Sequence, residues 1–234
     1  MGSLFLRHRL VAFDPLRFST GDLAAWFRAD TGVTFDVNRR VTRWEDSSGR
    51  GRALTQGAGG PTNRPLWESD QVSGRPAVRF DGSNYYLTTG DFGLTQPETI
   101  YMVVKFVAWA SNRIIMDGTA VNKRMLVQWT GSSPTMQMYA GASFTNSAAV
   151  FGTFGVATWA FNGTTSFFQI GAGEETMGNA GTQGAGGLTL GIGYDITSPG
   201  SFQVAELLVF SSAHAADRRR QMRQYLSQRY AVSI

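Results

Sequence analysis

Phe18-Ser-Thr-Gly-Asp-Leu-Ala-Ala-Trp26-Phe-Arg-Ala-Asp30-Thr-Gly-Val33, then Val41-Thr-Arg-Trp44-Glu-Asp46-Ser-Ser-Gly49, then Gly74-Arg-Pro76-Ala-Val-Arg-Phe80-Asp81-Gly82 and Tyr86-Leu87 are the stretches that decide the fold. In each, a short apolar run carries a large aromatic residue and ends in an Asp/Ser/Gly cluster. Runs of this length between turn residues are strands, because the turn residues tolerate the backbone bends that a strand interior does not. Trp26, Trp44 and Phe80 sit within the runs, next to turns. They are expected in the core and not as ligand platforms.

The same pattern continues outward. Ile100, Met102, Val104 and Phe106 alternate with Thr99, Tyr101, Val103 and Lys105, as in a strand with an apolar inner face. Residues 124–129 and 134–139 predict a hairpin around the loop Thr130-Gly-Ser-Ser133. That loop puts Met125, Val127 and Trp129 on one face with Pro134, Met136 and Met138. A five-residue loop would set the Gln137 amide beside Val127, and an unpartnered buried amide is unfavourable. The opposite face then carries Arg124, Leu126, Gln128, Thr135, Gln137 and Tyr139. Asn162-Gly163 predicts a type I′ turn between strands 156–161 and 164–170. Residues 188–194 alternate again, and 202–210 form a last strand. Met222, Tyr225, Leu226, Arg229 and Tyr230 recur at helical spacing, with Ser211 or Ser212 as the expected cap. Strict alternation in 202–210 places Glu206 on the face of Phe202, Val204, Leu208 and Phe210. A carboxylate there needs partners: backbone amides, the Trp26 indole N–H or an arginine of the opening segment.

The opening pieces match W-x-x-A-D-x-G, W-x-D-x-S-G-x-G and G-x-P-x-V-x-F-D-G. The ending, Ala205-Glu-Leu-Leu-Val-Phe210-Ser-Ser-Ala213 followed by Arg219-Arg-Gln-Met222-Arg-Gln-Tyr225-Leu-Ser-Gln-Arg229-Tyr230, matches a second family pattern at the other end of the chain. Together they resemble the laminin-G-like, concanavalin-A-like jelly-roll domains of bacterial and phage proteins. The resemblance implies an all-β, two-sheet antiparallel jelly-roll sandwich over residues 18–234, with one C-terminal helix and an N-terminal arm over 1–17. It implies that Asp46 bonds the amides of its own turn and that Glu206 is a structural acid. It points to a binding or structural role: a non-catalytic structural or adhesion module of a phage virion, or alternatively a lectin-like carbohydrate-binding module.

Composition fits one large β domain. The chain has 234 residues, 28 glycines, 16 phenylalanines and no cysteine, so no disulfide or thiolate metal site is expected. The net charge of +4 is a small surplus on a chain with 16% charged residues. Arg7, His8 and Arg9 interrupt the apolar N-terminus, so no signal peptide is expected, and no run is long enough to span a membrane. Synthesis in the cytoplasm and a place in a virion are the matching expectations. Leu4, Phe5, Leu6, Leu10, Val11 and Phe13 make the arm apolar enough to pack on its own domain or on other virion proteins.

Catalytic chemistry has little to stand on. Retaining glycosidases place two carboxylates on one face, and no Glu-x-Asp-x-x-Glu pattern occurs. Glu174 and Glu175 are adjacent and would point to opposite faces of a strand, as would Glu45 and Asp46. The two histidines, His8 and His214, leave a serine nucleophile without a base. Calcium needs only oxygens, and Asp81, Asn84, Asp117 and Asp195 are strand-end or loop candidates, although no spacing demands it; no cofactor is expected. Arg218, Arg219, Arg220, Arg223 and Arg229 are read as the solvated face of the last helix, and nucleic acid is not an expected partner. Flat aromatic rings with amide and charged hydrogen-bonding groups suit sugars. Arg124, Gln128, Gln137 and Tyr139 are therefore the candidate ligand-binding residues, with Tyr101 and Lys105 nearby and cell-surface glycans as the partner class.

Overall fold

The structure is a computed structural model that describes residues 13–57, 59–146 and 151–234. Among these, two antiparallel sheets face one another. The eight-stranded sheet runs Thr176–Gly178, Ser166–Ile170, Phe154–Phe161, Glu98–Ala108, Ser201–Phe210, Arg75–Asp81 and Leu66–Val72, and Leu23–Arg28 also pairs with Ser201–Phe210. The nine-stranded sheet runs Ser143–Asn146, Thr135–Tyr139, Leu126–Thr130, Arg113–Asp117, Gly186–Leu190, Leu87–Leu94, Leu54–Thr55, Val41–Trp44 and Val33–Phe35. The expected two-sheet sandwich with a C-terminal helix, Ala216–Tyr230, is what the chain forms.

Between the sheets lie Phe27, Trp44, Phe80, Met102, Phe106, Trp129, Met136, Met138, Trp159, Phe168 and Phe202, all buried. The Trp44 indole, carried into this core, donates to the Arg28 carbonyl at 2.9 Å. Phe80 stacks on Phe202 with ring centroids 4.6 Å apart. A second apolar layer lies outside the eight-stranded sheet, where Trp26, Tyr101, Val103, Leu208 and Phe210 meet Met222, Leu226 and Tyr230 of the helix. Where the helix lies, that sheet is therefore buried on both faces, and its central strand Glu98–Ala108 reads as nearly continuous apolar sequence. The indole of Trp26 lies in this outer layer, not between the sheets.

Three local expectations are corrected. The hairpin of Leu126–Thr130 and Thr135–Tyr139 pairs Val127 with Met138 and Thr130 with Thr135. Its four-residue loop is 131–134, one position later than the sequence suggests, and Pro134 lies exposed in it. The slip moves pairing by two residues and so preserves parity. Val127, Trp129, Met136 and Met138 still face inward. At Asn162 the chain does not make a type I′ turn: φ is −151° there, and Gly163–Thr165 is a short 3-10 turn. Ser166 accepts the Asn162 N–H at 2.9 Å, and Gln96 accepts the Gly163 N–H at 2.8 Å, which together fix the longer connection. In Ser201–Phe210 a bulge falls between Val204 and Glu206. It flips the alternation: Phe202 and Val204 face the inter-sheet core, whereas Leu208 and Phe210 face the helix. Glu206 sits on the helix side and does not share a face with Phe202 and Val204.

There Glu206 is fully buried and fully partnered. Its Oε1 accepts from the Trp26 indole at 2.7 Å, and its Oε2 accepts from Arg229 Nε at 3.0 Å and the Tyr230 hydroxyl at 2.7 Å. Burial pushes its carboxyl pKa up, against the pull of these donors. Arg229 reaches on to Asp30 at 2.6 Å, and Asp30 also holds Arg75 at 2.8 Å.

The solvated-face reading of the helix arginines is overturned, because four of the five turn toward the sandwich. Arg218 pairs with Asp22 at 2.8 Å, and Arg219 with Glu175 at 2.7 Å. Arg223 is buried and donates to the Val156 carbonyl at 3.1 Å and the Thr158 hydroxyl at 2.9 Å. Arg229 joins Glu206, and Arg220 alone stays outside, pairing with Asp217 within the helix. Burial alone would raise the Asp22 carboxyl, but hydrogen bonds from Arg218 and Ser212 outweigh it and hold the pKa well below the usual range. Ser211 and Ser212 bond Asp22 and do not cap the helix, which starts at Ala216 with no side-chain cap. Of the arm, residues 13–17 are described. Pro15–Phe18 is a short helical turn, and Phe13 stacks on Tyr225 at 4.9 Å. Leu4, Phe5, Leu6, His8, Leu10 and Val11 lie outside the described residues.

Trp44→Ala is expected to destabilise the fold by about 3–5 kcal/mol, as for other large core truncations. Glu206→Ala should destabilise it by about 1–3 kcal/mol, because the Trp26 indole and the Tyr230 hydroxyl lose their acceptor while Arg229 keeps Asp30 as its remaining charge partner. Urea titrations of both variants check this, and an unchanged midpoint in either contradicts the assignment.

Candidate functional site

The outer face of the nine-stranded sheet carries the residues that the sequence singles out. Inward Val127, Trp129, Met136 and Met138 force their neighbours outward. Gln128 and Gln137 are direct cross-strand partners, with the Gln128 amide donating to the Gln137 carbonyl oxygen. Tyr139 lies opposite Leu126. Arg124 precedes its strand and is clamped by Asp117, with Nη2–Oδ2 at 2.8 Å and Nε–Oδ2 at 3.2 Å. Its guanidinium lies 5.8 Å from the Tyr139 ring centre and 4.9 Å from that of Tyr194. Arg124, Gln128, Gln137 and Tyr139 are thus brought to one face.

Asp117 is buried beneath Arg124. It also accepts the Gly118 N–H at 2.8 Å and the Tyr194 N–H at 3.3 Å. Burial raises its pKa, opposed by the Arg124 hydrogen bonds. For Arg124, burial works against the charge, but the Asp117 pairing prevails and the pKa rises. A guanidinium held this way is fixed in orientation, which lowers the entropy lost when a ligand is bound.

Beside this row is a cleft of about 180 Å³ lined by Tyr86, Thr88, Thr119, Thr189, Tyr194 and Ile196, among others. The sequence reading missed it, because its walls come from segments far apart in the chain. Tyr86 is 3% exposed, and its hydroxyl has no hydrogen-bond partner among the described residues. Ile196 adopts φ 61°, which is strained for a β-branched residue. The neighbouring turn holds it there, with Asp195 accepting from the Thr197 hydroxyl at 2.7 Å. Strain of this kind gathers at ligand-holding loops.

Tyr101 and Lys105 do not join this face. Tyr101 is buried beneath the helix on the other sheet, where its hydroxyl meets His214 Nδ1 at 2.8 Å. Lys105 lines a separate cleft of about 340 Å³ on the outer face of the eight-stranded sheet, with Glu68, Gln71, Arg79 and Gln203. The four calcium candidates stay apart in role. Asp81 accepts the amides of Ser83, Asn84 and Tyr85, Asp195 bonds Thr197, and Asp117 bonds Arg124. Among the described residues, no group of three or more His, Cys, Asp or Glu side chains is placed to hold a metal. Asp46 does what its turn requires, accepting from the amides of Trp26, Ser48 and Arg52.

Two buried titratable groups lie elsewhere. Glu98 is fully buried, and neither carboxyl oxygen has a hydrogen-bond partner among the described residues. Burial pushes its pKa up to about 8. Burial, followed by the charge of Arg218, pushes His214 down to about 4.

Comparison with known proteins finds structural likeness only. No family model matches the chain, and no curated protein does. Domain 4 of AbnA, a GH43 extracellular arabinanase from Geobacillus stearothermophilus solved in complex with arabinotriose, superposes with a TM-score of 0.64 at 14% identity, covering 87% of this chain and 98% of that one. A GH54 α-L-arabinofuranosidase soaked with a cyclic sulfate inhibitor gives 0.61 at 14% identity, covering 82% of this chain and 51% of that one. The Trypanosoma rangeli sialidase in complex with sialic acid gives 0.59 at 10% identity, covering 91% of this chain and 34% of that one. The chain thus spans about half the length of the arabinofuranosidase and a third of the sialidase. At these identities the likeness establishes the β-sandwich fold.

The buried acid generates a pH prediction. The unfolded chain gives up the Glu98 proton near the ordinary 4.5, whereas the folded chain keeps it to about 8. Its contribution to stability is therefore full below 4.5 and is lost as the pH rises through 8. Glu98→Gln should gain stability over the parent progressively across that window. Urea midpoints measured across it check this, and a difference independent of pH contradicts it.

Proposed function

We propose that this chain is a non-catalytic carbohydrate-binding β-sandwich that holds a saccharide on the outer face of its nine-stranded sheet. The observation that carries the reading is the cleft walled by Tyr86, Tyr194 and Ile196, set beside the row Arg124, Tyr139, Gln137 and Gln128. A sugar needs a flat ring for its C–H face and fixed donors and acceptors for its hydroxyls. This face provides both, and the Asp117 clamp prepositions the charged group.

The likeness to domain 4 of an arabinanase, solved with arabinotriose, supports this reading over the virion role expected from the sequence. The non-catalytic part rests on the acids. Among the described residues, the Lys105 cleft and the Tyr86 cleft are lined by one carboxylate between them, Glu68, and glycoside hydrolysis canonically needs a facing pair.

Isothermal titration with arabinotriose and xylotriose tests the proposal. Saturable binding is expected for at least one of the two. Tyr194→Ala should weaken it about ten-fold, equivalent to about 1.4 kcal/mol, without shifting the urea midpoint. Release of reducing ends from either sugar, abolished by Glu68→Gln, would contradict the non-catalytic reading. Binding unaltered by Tyr194→Ala would contradict the site.

A further inference from the structure

At one end of the sandwich, between Leu23–Arg28 and the end of Leu87–Leu94, is an open cleft of about 450 Å³. It is separate from the saccharide face, and among the described residues no acidic side chain lines it. Arg50 and Arg52 line it, together with Phe92, Leu94, Gln96 and Pro97. The turn Ser48-Gly-Arg-Gly-Arg52 sets the two arginines into the same cleft. Gly49 and Gly51 take φ of 82° and 73°, a left-handed conformation that glycine adopts without strain.

Both guanidinium groups are anchored but not neutralised. Arg52 Nη1 donates to the Ala24 carbonyl at 2.7 Å, and Arg50 Nη2 donates to the Gly21 carbonyl at 2.7 Å. These are their only hydrogen bonds among the described residues, and neither is in an ion pair there. The acid of the same turn, Asp46, is occupied by the amides of Trp26, Ser48 and Arg52 and by the Ser48 hydroxyl at 2.8 Å. Arg52 also lies 4.1 Å above the Phe92 ring. Burial, then repulsion from Arg50, lowers its pKa despite the attraction of Asp46. Gln96 forms a rigid wall, its amide donating to the carbonyls of Gly181 and Gln183 and accepting from Gly163.

We propose that this cleft is a second binding site, for an oxyanion such as the carboxylate of a uronic acid. The Nε–Nη2 edge of Arg52 has no hydrogen-bond partner among the described residues, and that edge is the one that grips a planar carboxylate with two bonds. Arg50 adds the second positive charge. Phe92, Leu94 and Pro97 supply apolar surface for a sugar ring that carries the anion.

Calorimetric titration of the full chain at low salt, with sodium glucuronate, sodium sulfate and sodium phosphate as separate probes, tests this. Saturable glucuronate binding is expected, weakened by added sodium chloride. It should fall about ten-fold or more, about 1.4 kcal/mol, in Arg50→Gln and in Arg52→Gln, and be unchanged in Tyr194→Ala. Sulfate or phosphate binding as tightly as glucuronate would assign the site to the free oxyanion, and tighter glucuronate would assign it to the sugar-borne one. Should Arg52→Gln fail to fold, Arg50→Gln decides, because that side chain is exposed. No saturable binding of any probe at millimolar concentration, or the same affinity in a folded Arg50→Gln as in the parent, would overturn the proposal.

Discussion

The buried carboxylate of Glu206 is the constraint on which the rest of the structure depends. It lies on the last strand and takes its hydrogen bonds from Trp26 in the first strand and from Arg229 and Tyr230 at the end of the helix. Arg229 in turn leads to Asp30 and Arg75. Elements at opposite ends of the sequence are thereby joined in a region closed to water, where an unpaired charge is unfavourable and a fully partnered one is tolerated. The helix end is finished by the same neighbourhood: Ser73 donates to the Tyr230 carbonyl at 2.7 Å and Arg75 to that of Arg229 at 3.2 Å. Those are carbonyls a helix otherwise leaves without partners.

This knot decides which surface is open to a ligand. The helix is held at Asp22, Glu175, Val156 and Glu206 by its own arginines. It covers the central part of the eight-stranded sheet's outer face. Among the described residues the nine-stranded sheet has no such cover, and its outer face carries amides, tyrosines and a clamped arginine. The two faces of the sandwich therefore divide the work: one carries the long-range closure of the fold, and the other presents polar and aromatic groups to solvent.

Much of this is legible in the sequence because it depends on short periods. The alternation through Val127–Trp129 and Met136–Met138 gave the correct inward face even with the loop misplaced by one residue, since a two-residue slip in pairing keeps parity. The same logic brought Arg124, Gln128, Gln137 and Tyr139 to one surface. Parity failed at Ala205, where a bulge inserts one residue and turns Glu206 toward the helix. No local pattern announces that bulge. The helix arginines were misread for a related reason: their partners, Asp22, Glu175 and Asp30, are distant in sequence, so the helix alone looks amphipathic and solvated. The cleft with Tyr86, Tyr194 and Ile196 was invisible because four separate segments build it, around Gly57, Tyr86, Thr119 and Tyr194. Asn162-Gly163 marked a real connection, but the side chains of Gln96 and Ser166 selected its conformation.

The most direct test of the account is an amide chemical-shift titration of the isotope-labelled full chain with arabinotriose and, separately, with xylotriose, read for whichever of the two binds. The account predicts perturbations centred on Tyr86, Arg124, Gln137, Tyr139, Tyr194 and Ile196, with the helix Ala216–Tyr230 unperturbed. Perturbations centred on the helix or on the eight-stranded sheet, or none at saturating sugar, would contradict it.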